Sequence, residues 1–119
     1  MCVVLVEKVA PVASDVDLAW AAGFFDGEGS TSVLKAQRDK YSYIRMSVNQ
    51  KLPECLERFH SIVGHGKIYK ANKRDIYSWD CYKQSDVPKV LEMLWPYLSS
   101  VKRDQAIRAQ EKVNNNKKV

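Results

Sequence analysis

Cysteine is scarce and poorly placed for chemistry. The three present, Cys2, Cys55 and Cys81, are odd in number and form no CxxC pair. That pattern speaks against a disulfide framework and against a zinc site, and it fits a reducing compartment, the cytoplasm or a DNA-containing organelle. Histidine is just as sparse, and neither His60 nor His65 has a second His or Cys at ligand spacing, so structural roles are expected for both. No apolar run is long enough to span a bilayer, and the opening MCVVLVEKVAPVAS lacks the basic start of a signal peptide. Neither an internal repeat nor a long linker is visible, and 119 residues suit one folded domain.

What is present is a basic surplus. Nineteen Lys and Arg against fourteen Asp and Glu give a net charge of +5. Such a balance favours a polyanionic partner through counterion release and electrostatic steering, nucleic acid ahead of a membrane surface. With 45% hydrophobic and 28% charged residues, the chain has enough apolar surface to fold.

The pattern along the chain predicts helix, hairpin, helix, hairpin, helix, helix. SDVDLAW carries helix start signals, with Ser14 or Asp15 able to cap and Asp17 three residues after Ser14. The helix is expected to run to about Asp26 and to be stopped by left-handed backbone at Gly27 and Gly29. STSVLKAQR and YIRMSVNQK form a hairpin, the second strand placing Ile44, Met46 and Val48 on one side and Tyr43, Arg45, Ser47 and Asn49 on the other. PECLERFHSIV is helical and ends at Gly64; GKIYKANKRDIYSWDCYK is a second hairpin; VPKVLEMLWPYL is a helix stopped near Pro96, and VKRDQAIRAQEKV is a fourth. Residues 1–13 are read as an N-terminal extension, 14–110 as a single domain and 111–119 as a basic flexible tail. The two hairpins should join in one antiparallel sheet, helices covering its apolar face. Its polar face matches a DNA major groove, which admits a β-ribbon. Trp20, Trp79, Trp95, Phe24 and Phe25 are expected in the core.

One short stretch departs from ordinary helix chemistry. WAAGFFDGEGS puts Asp26 and Glu28 at the end of a helix, where unpaired carbonyls already concentrate negative potential. Acids there are unfavourable unless a cation arrives, and carboxylate plus carbonyl oxygens make a hard ligand set suited to magnesium. Upstream in the same helix, Ala19, Ala22 and Gly23 set small residues three or four apart, so another backbone could approach closely. A second copy crossing on a two-fold axis is the simplest partner, with Ala19, Ala22, Gly23 and Asp26 at the seam and two Glu28 side chains brought together.

AAGFFDGEG, Ala21 to Gly29, resembles the signature nonapeptide of the LAGLIDADG homing endonucleases, agreeing at Ala22, Gly23, Asp26, Glu28 and Gly29. The order of elements from Ser14 to about Gln110 is similar as well, and a single copy of the motif is the homodimeric pattern. The resemblance implies an α+β fold of αββαββα order, with a four-stranded antiparallel sheet lying in the major groove. It also implies magnesium-dependent cutting of both strands of a long, nearly palindromic site, leaving short 3′ overhangs, the activity that mobilises introns. Carried over residue by residue, Glu28 is the metal-binding acid, the Gly27 carbonyl a further ligand and Asp26 a support for the helix end. Gln50 in VNQK takes the place of a polar residue that organises the attacking water, and Lys102 in SVKRDQ that of a lysine beside the scissile phosphate. Two positions depart from the family pattern: KLPE follows Gln50 where some members have Arg, and Ala21 stands where Leu is typical.

Arg38, Tyr43, Arg45, Ser47, Asn49, Lys67, Tyr69 and Arg74 are the candidate DNA contacts, being on or beside the polar sheet face. The alternative reading keeps the fold and drops the cutting: an intron maturase holding structured RNA, or a protein that holds DNA uncut. Retention of Glu28 favours the enzyme, because a pure binder gains nothing from an acid beside a phosphate.

Overall fold

Ser14 starts the first helix by a reciprocal cap. Its hydroxyl accepts from the Asp17 amide at 3.1 Å while its own amide donates to the Asp17 carboxylate at 3.4 Å. Two of the donors a helix start leaves unpaired are thereby satisfied, and Asp15 and Asp17 sit at the positive end of the dipole. A computed structural model describes residues 13–35, 42–71 and 74–117. Helix α1 spans Asp15–Glu28 and passes directly into β1, Gly29–Lys35. Strand β2 (Ser42–Gln50), helix α2 (Glu54–Val63), strands β3 (Lys67–Lys70) and β4 (Tyr77–Cys81), helix α3 (Val87–Leu94) and helix α4 (Ser100–Lys117) follow. A single 3-10 turn, Trp95–Tyr97, separates α3 from α4 where Pro96 removes a helix donor. None of the described helices is long and apolar enough to cross a membrane.

The strands form one antiparallel sheet in the order β1-β2-β4-β3. Alternation then fixes two faces. Ile44, Met46 and Val48 of β2 and Trp79 and Cys81 of β4 point into the core, where they meet Ala21, Ala22 and Phe25 of α1, Leu56, Phe59 and Val63 of α2 and Val87, Val90 and Leu94 of α3. Phe59 joins the layers, its ring 6.2 Å from Phe25 and 4.8 Å from Trp79, the latter edge to face. Gly66, at φ +90°, leaves room for the Trp79 indole, which donates to the His65 carbonyl at 2.9 Å. The remaining face carries Ser30 and Ser32 of β1, Tyr43, Arg45, Ser47 and Asn49 of β2, Ser78 and Asp80 of β4, and Lys67 and Tyr69 of β3, residues whose cross-strand pairing puts them on one side. The α+β order and the four-stranded sheet match the expectation from the sequence.

Three local expectations need correction. Helix α1 runs to Glu28, with Gly27 inside it and Gly29 extended at φ −99°, so neither glycine supplies a left-handed stop. Gly29 is needed for space: a Cβ there would lie 2.3 Å from the fully buried Phe25 ring. The only left-handed helix end among the described residues is Gly64, whose amide returns to the His60 carbonyl at 2.8 Å. Helix α4 does not fray after Gln110 but continues to Lys117, and Val113 still packs on the core cluster there. Buried apolar contact holds the helix where its Asn-rich sequence has weak propensity.

Candidate active site

The end of α1 is where the sequence raised its problem, and the fold answers it with two groups from α4. Both carboxylate oxygens of Asp26 accept from the Ser99 amide, each at 3.1 Å. Ser99 in turn caps α4, its hydroxyl accepting from the Lys102 amide at 3.3 Å and its carbonyl from Arg103 at 3.0 Å. Lys102, in the first turn of α4, sends its ammonium back to the Gly29 carbonyl at 2.6 Å. The negative end of one helix therefore abuts the positive start of another, with a lysine placed between. For Asp26 this helix start supplies compensating positive charge.

Glu28 is left over. It lies exposed at the α1–β1 junction, and the register that sets Gly29 opposite Val48 brings the end of β2 beside it. Gln50 Nε2 donates to Glu28 Oε1 at 3.1 Å. Glu28, Gln50 and Lys102, from three elements distant in sequence, thus gather at one end of α1, on open surface.

Among the described residues no three His, Cys, Asp or Glu side chains converge as a metal centre. The donors at this helix end are the Glu28 carboxylate and, at Gly27, a carbonyl without an intrahelical amide. A Cβ at Gly27 would meet nothing within 4 Å. Two hard oxygens per chain, from two exposed residues, fit a magnesium ion that keeps most of its waters and takes further oxygens from a phosphate or a second chain.

The polar sheet face is organised by two residues that the sequence reading passed over, Ser78 and Asp80. Asp80 is 7% exposed and accepts from Ser47 Oγ at 2.8 Å and Tyr69 Oη at 2.6 Å. Donation to Asp80, then burial and repulsion by the same carboxylate, hold the Tyr69 phenol above its usual pKa. Ser78 Oγ donates to Asn49 Oδ1 at 2.6 Å, which leaves the Asn49 amide hydrogens facing outward. The alternation of YSWDCY already placed Ser78 and Asp80 on this side and could have found them. Of the expected DNA contacts, Asn49, Lys67, Tyr69 and Arg74 are exposed, and Tyr43 and Arg45 are half-buried. Ser47 is 7% exposed and is spent on Asp80, because it lies at the centre of the sheet between two strands. Arg38 falls outside the described residues.

The expected seam divides. Ala19 and Gly23 are exposed, a Cβ at Gly23 meets nothing within 4 Å, and Val16 on the same side is 75% exposed. Ala22 is fully buried in this chain's own core and Asp26 is engaged by Ser99, so neither belongs to that outward face. Their helical positions turn them inward, toward the sheet and α4. His60 and His65 serve the local fold: His60 Nε2 lies 3.1 Å from the Gly66 carbonyl and His65 Nδ1 3.5 Å from Asp86.

A family model described as LAGLIDADG endonuclease matches residues 21–112. Among solved structures, the chain is similar to the homing endonuclease I-CvuI in complex with the I-CreI target, at 24% identity and a TM-score of 0.71, covering 87% of this chain and 71% of that one. It is similar also to an archaeal intron-encoded homing endonuclease, I-Vdi141I, complexed with DNA, at 28% identity and a TM-score of 0.62 over 70% of this chain and 56% of that one. A third, the LAGLIDADG homing endonuclease I-GzeII with its DNA target, is 27% identical with a TM-score of 0.67 over 84% of this chain, which spans 38% of its length. Comparison with curated proteins gives no match.

Proposed function

Because the chain belongs to the LAGLIDADG endonuclease family, we propose that it is a metal-dependent DNA endonuclease that works as a homodimer and breaks both strands of a long, nearly two-fold site with short 3′ overhangs. The observation that carries this reading is the convergence of Glu28, Gln50 and Lys102 at the open end of α1. DNA as substrate draws support from the basic balance of the chain and from the solved relatives described as DNA complexes.

Each residue has a role that its geometry permits. Glu28 and the Gly27 carbonyl would hold a divalent cation, magnesium in the first instance, which supplies Lewis acidity and neutralises phosphate charge. Gln50 has one amide hydrogen fixed on Glu28, so its carbonyl oxygen is oriented to accept a hydrogen bond from an attacking water. Lys102 uses one of its three donors on Gly29 O and keeps two for a phosphate, whose developing charge it would stabilise. Asp26 sets the position of Lys102 through the cap of α4 and touches no substrate.

The homodimer is supported by α1 itself. Its sequence is apolar over most of its length, yet the Val16, Ala19, Gly23 side is exposed, uncovered by any other described residue. A second α1 packed on it would bring two Glu28 side chains to one seam, one for each strand.

The deciding experiment incubates the protein with magnesium and a library of randomised two-fold duplexes and sequences the cut ends, with Glu28→Gln alongside. Recurrent double-strand breaks absent from the variant are expected. Enrichment by binding with no cutting, equal in both proteins, would overturn the nuclease and leave a DNA-holding or maturase-type protein.

A further inference from the structure

The middle of the polar sheet face contains a negative charge, which is the wrong sign for a surface that meets a polyanion. Asp80 is nonetheless shielded: it is 7% exposed, Lys67 lies directly across on β3, and each carboxylate oxygen is covered by a hydroxyl. It touches too little solvent to reach a base. What it does govern is the direction of two protons.

A hydroxyl has one proton to give and lone pairs to receive. Tyr69 donates its hydroxyl hydrogen to Asp80 Oδ2, and Ser47 donates its own to Oδ1. Ser47 is buried beneath the face, whereas Tyr69 is 48% exposed and stands on the edge strand, where it can reach outward. Toward the groove the phenol oxygen is therefore an acceptor only. In the major groove adenine and cytosine present amino donors at the edge where guanine and thymine present carbonyl acceptors. A fixed acceptor pairs with the first two and is repelled by the second two.

We propose that Asp80 sets the hydrogen-bond polarity of the DNA-facing sheet, locking Tyr69 as an acceptor that selects an amino-bearing base, adenine or cytosine, at one position of each half-site. The inference rests on the DNA-binding reading above. Asp80 is a positioning residue here, and Tyr69 is the reader. Asp80→Ala removes both acceptors, so the phenol is released to turn its proton outward and can then donate to a base carbonyl.

The test is selection of bound duplexes from the randomised library by wild type, Asp80→Ala and Tyr69→Phe, scored base by base. Wild type should prefer adenine or cytosine at one position per half-site by about fivefold, the value of one hydrogen bond. Tyr69→Phe, an exposed change that leaves the core intact, should bring the four bases at that position within about twofold, and Asp80→Ala should admit guanine or thymine there with the other positions unchanged. Position preferences identical in all three proteins, or a uniform loss of affinity with Asp80→Ala and no change of base, would overturn the inference while leaving DNA recognition intact. A wild-type protein that selects no sequence at all would remove the functional reading and this inference with it.

Discussion

Asp26 and Ser99, 73 residues apart, are joined by two hydrogen bonds of 3.1 Å from one amide to both oxygens of one carboxylate. That contact ties the end of α1 to the start of α4 and so places Lys102 against Gly29. Asp26→Ala should cost ~1 kcal/mol, as loss of a capping acceptor does, and lower the melting temperature by ~4–8 °C. Cleavage, measured in single turnover, should fall further than this stability loss explains, because the lysine is no longer held. Asp26→Asn, which keeps an acceptor, should recover most of both.

Gly29 and Gly27 are two residues apart and should respond oppositely to alanine. At Gly29 a Cβ falls 2.3 Å from Phe25, whose ring is fully buried and stacked near Phe59, so the ring cannot yield. Overpacking there should destabilise by ~1–3 kcal/mol. At Gly27, inside the helix with open space around it, alanine should leave the fold unharmed and add up to ~1 kcal/mol of helix propensity. Urea denaturation of the two variants checks the contrast.

Gly23→Glu tests the seam. A side chain at this position meets nothing of its own chain within 4 Å, so the fold should persist with an unchanged circular dichroism spectrum. Against a second α1 the same side chain would force apart two closely packed helices and bury a charge. Light scattering at micromolar concentration should give twice the mass of one chain for wild type and the mass of one chain for the variant. A wild-type protein that is already monomeric would remove the dimer from the proposal.

Cys81 gives stability an alkaline edge. Burial, and secondarily the negative charge of Asp86, push its thiol from 9.0 to about 11. The unfolded chain releases this proton at lower pH than the folded one, so the contribution is complete below 9.0 and is lost as pH rises to about 11. The slope should approach ~1.4 kcal/mol per pH unit in that window. Tyr69 and Tyr97, raised above 10.0 chiefly by donation to Asp80 and Asp15, extend the decline in the same direction. Chemical denaturation from pH 8 upward should show this loss, with the lower part flattened in Cys81→Ala.

The sequence by itself determined the elements and most of their faces. Helical spacing in PECLERFHSIV, alternation in YIRMSVNQK, and the Ser14–Asp17 cap all act within a few residues, and the structure forms each of them. The motif at Ala21–Gly29 nominated Glu28, and the family resemblance beyond it nominated Gln50 and Lys102; the structure gathers the three at one end of α1. Only the tertiary structure decided what each acid and glycine is for. Asp26 was legible as an anomaly at a helix end, but its partner, the start of α4, comes from a region that helix periodicity cannot place in space. Gly29 was read as a backbone device and proves to be a space for Phe25, a fact that depends on how α1 seats on the sheet. Ala22 and Gly23 are neighbours of like size, yet one is fully buried and the other exposed, because the roll of α1 about its axis is set by the packing of Phe25 and Phe59. Asp80 became a member of the polar sheet face once β4 lay between β2 and β3, bringing Ser47 and Tyr69 to its two oxygens.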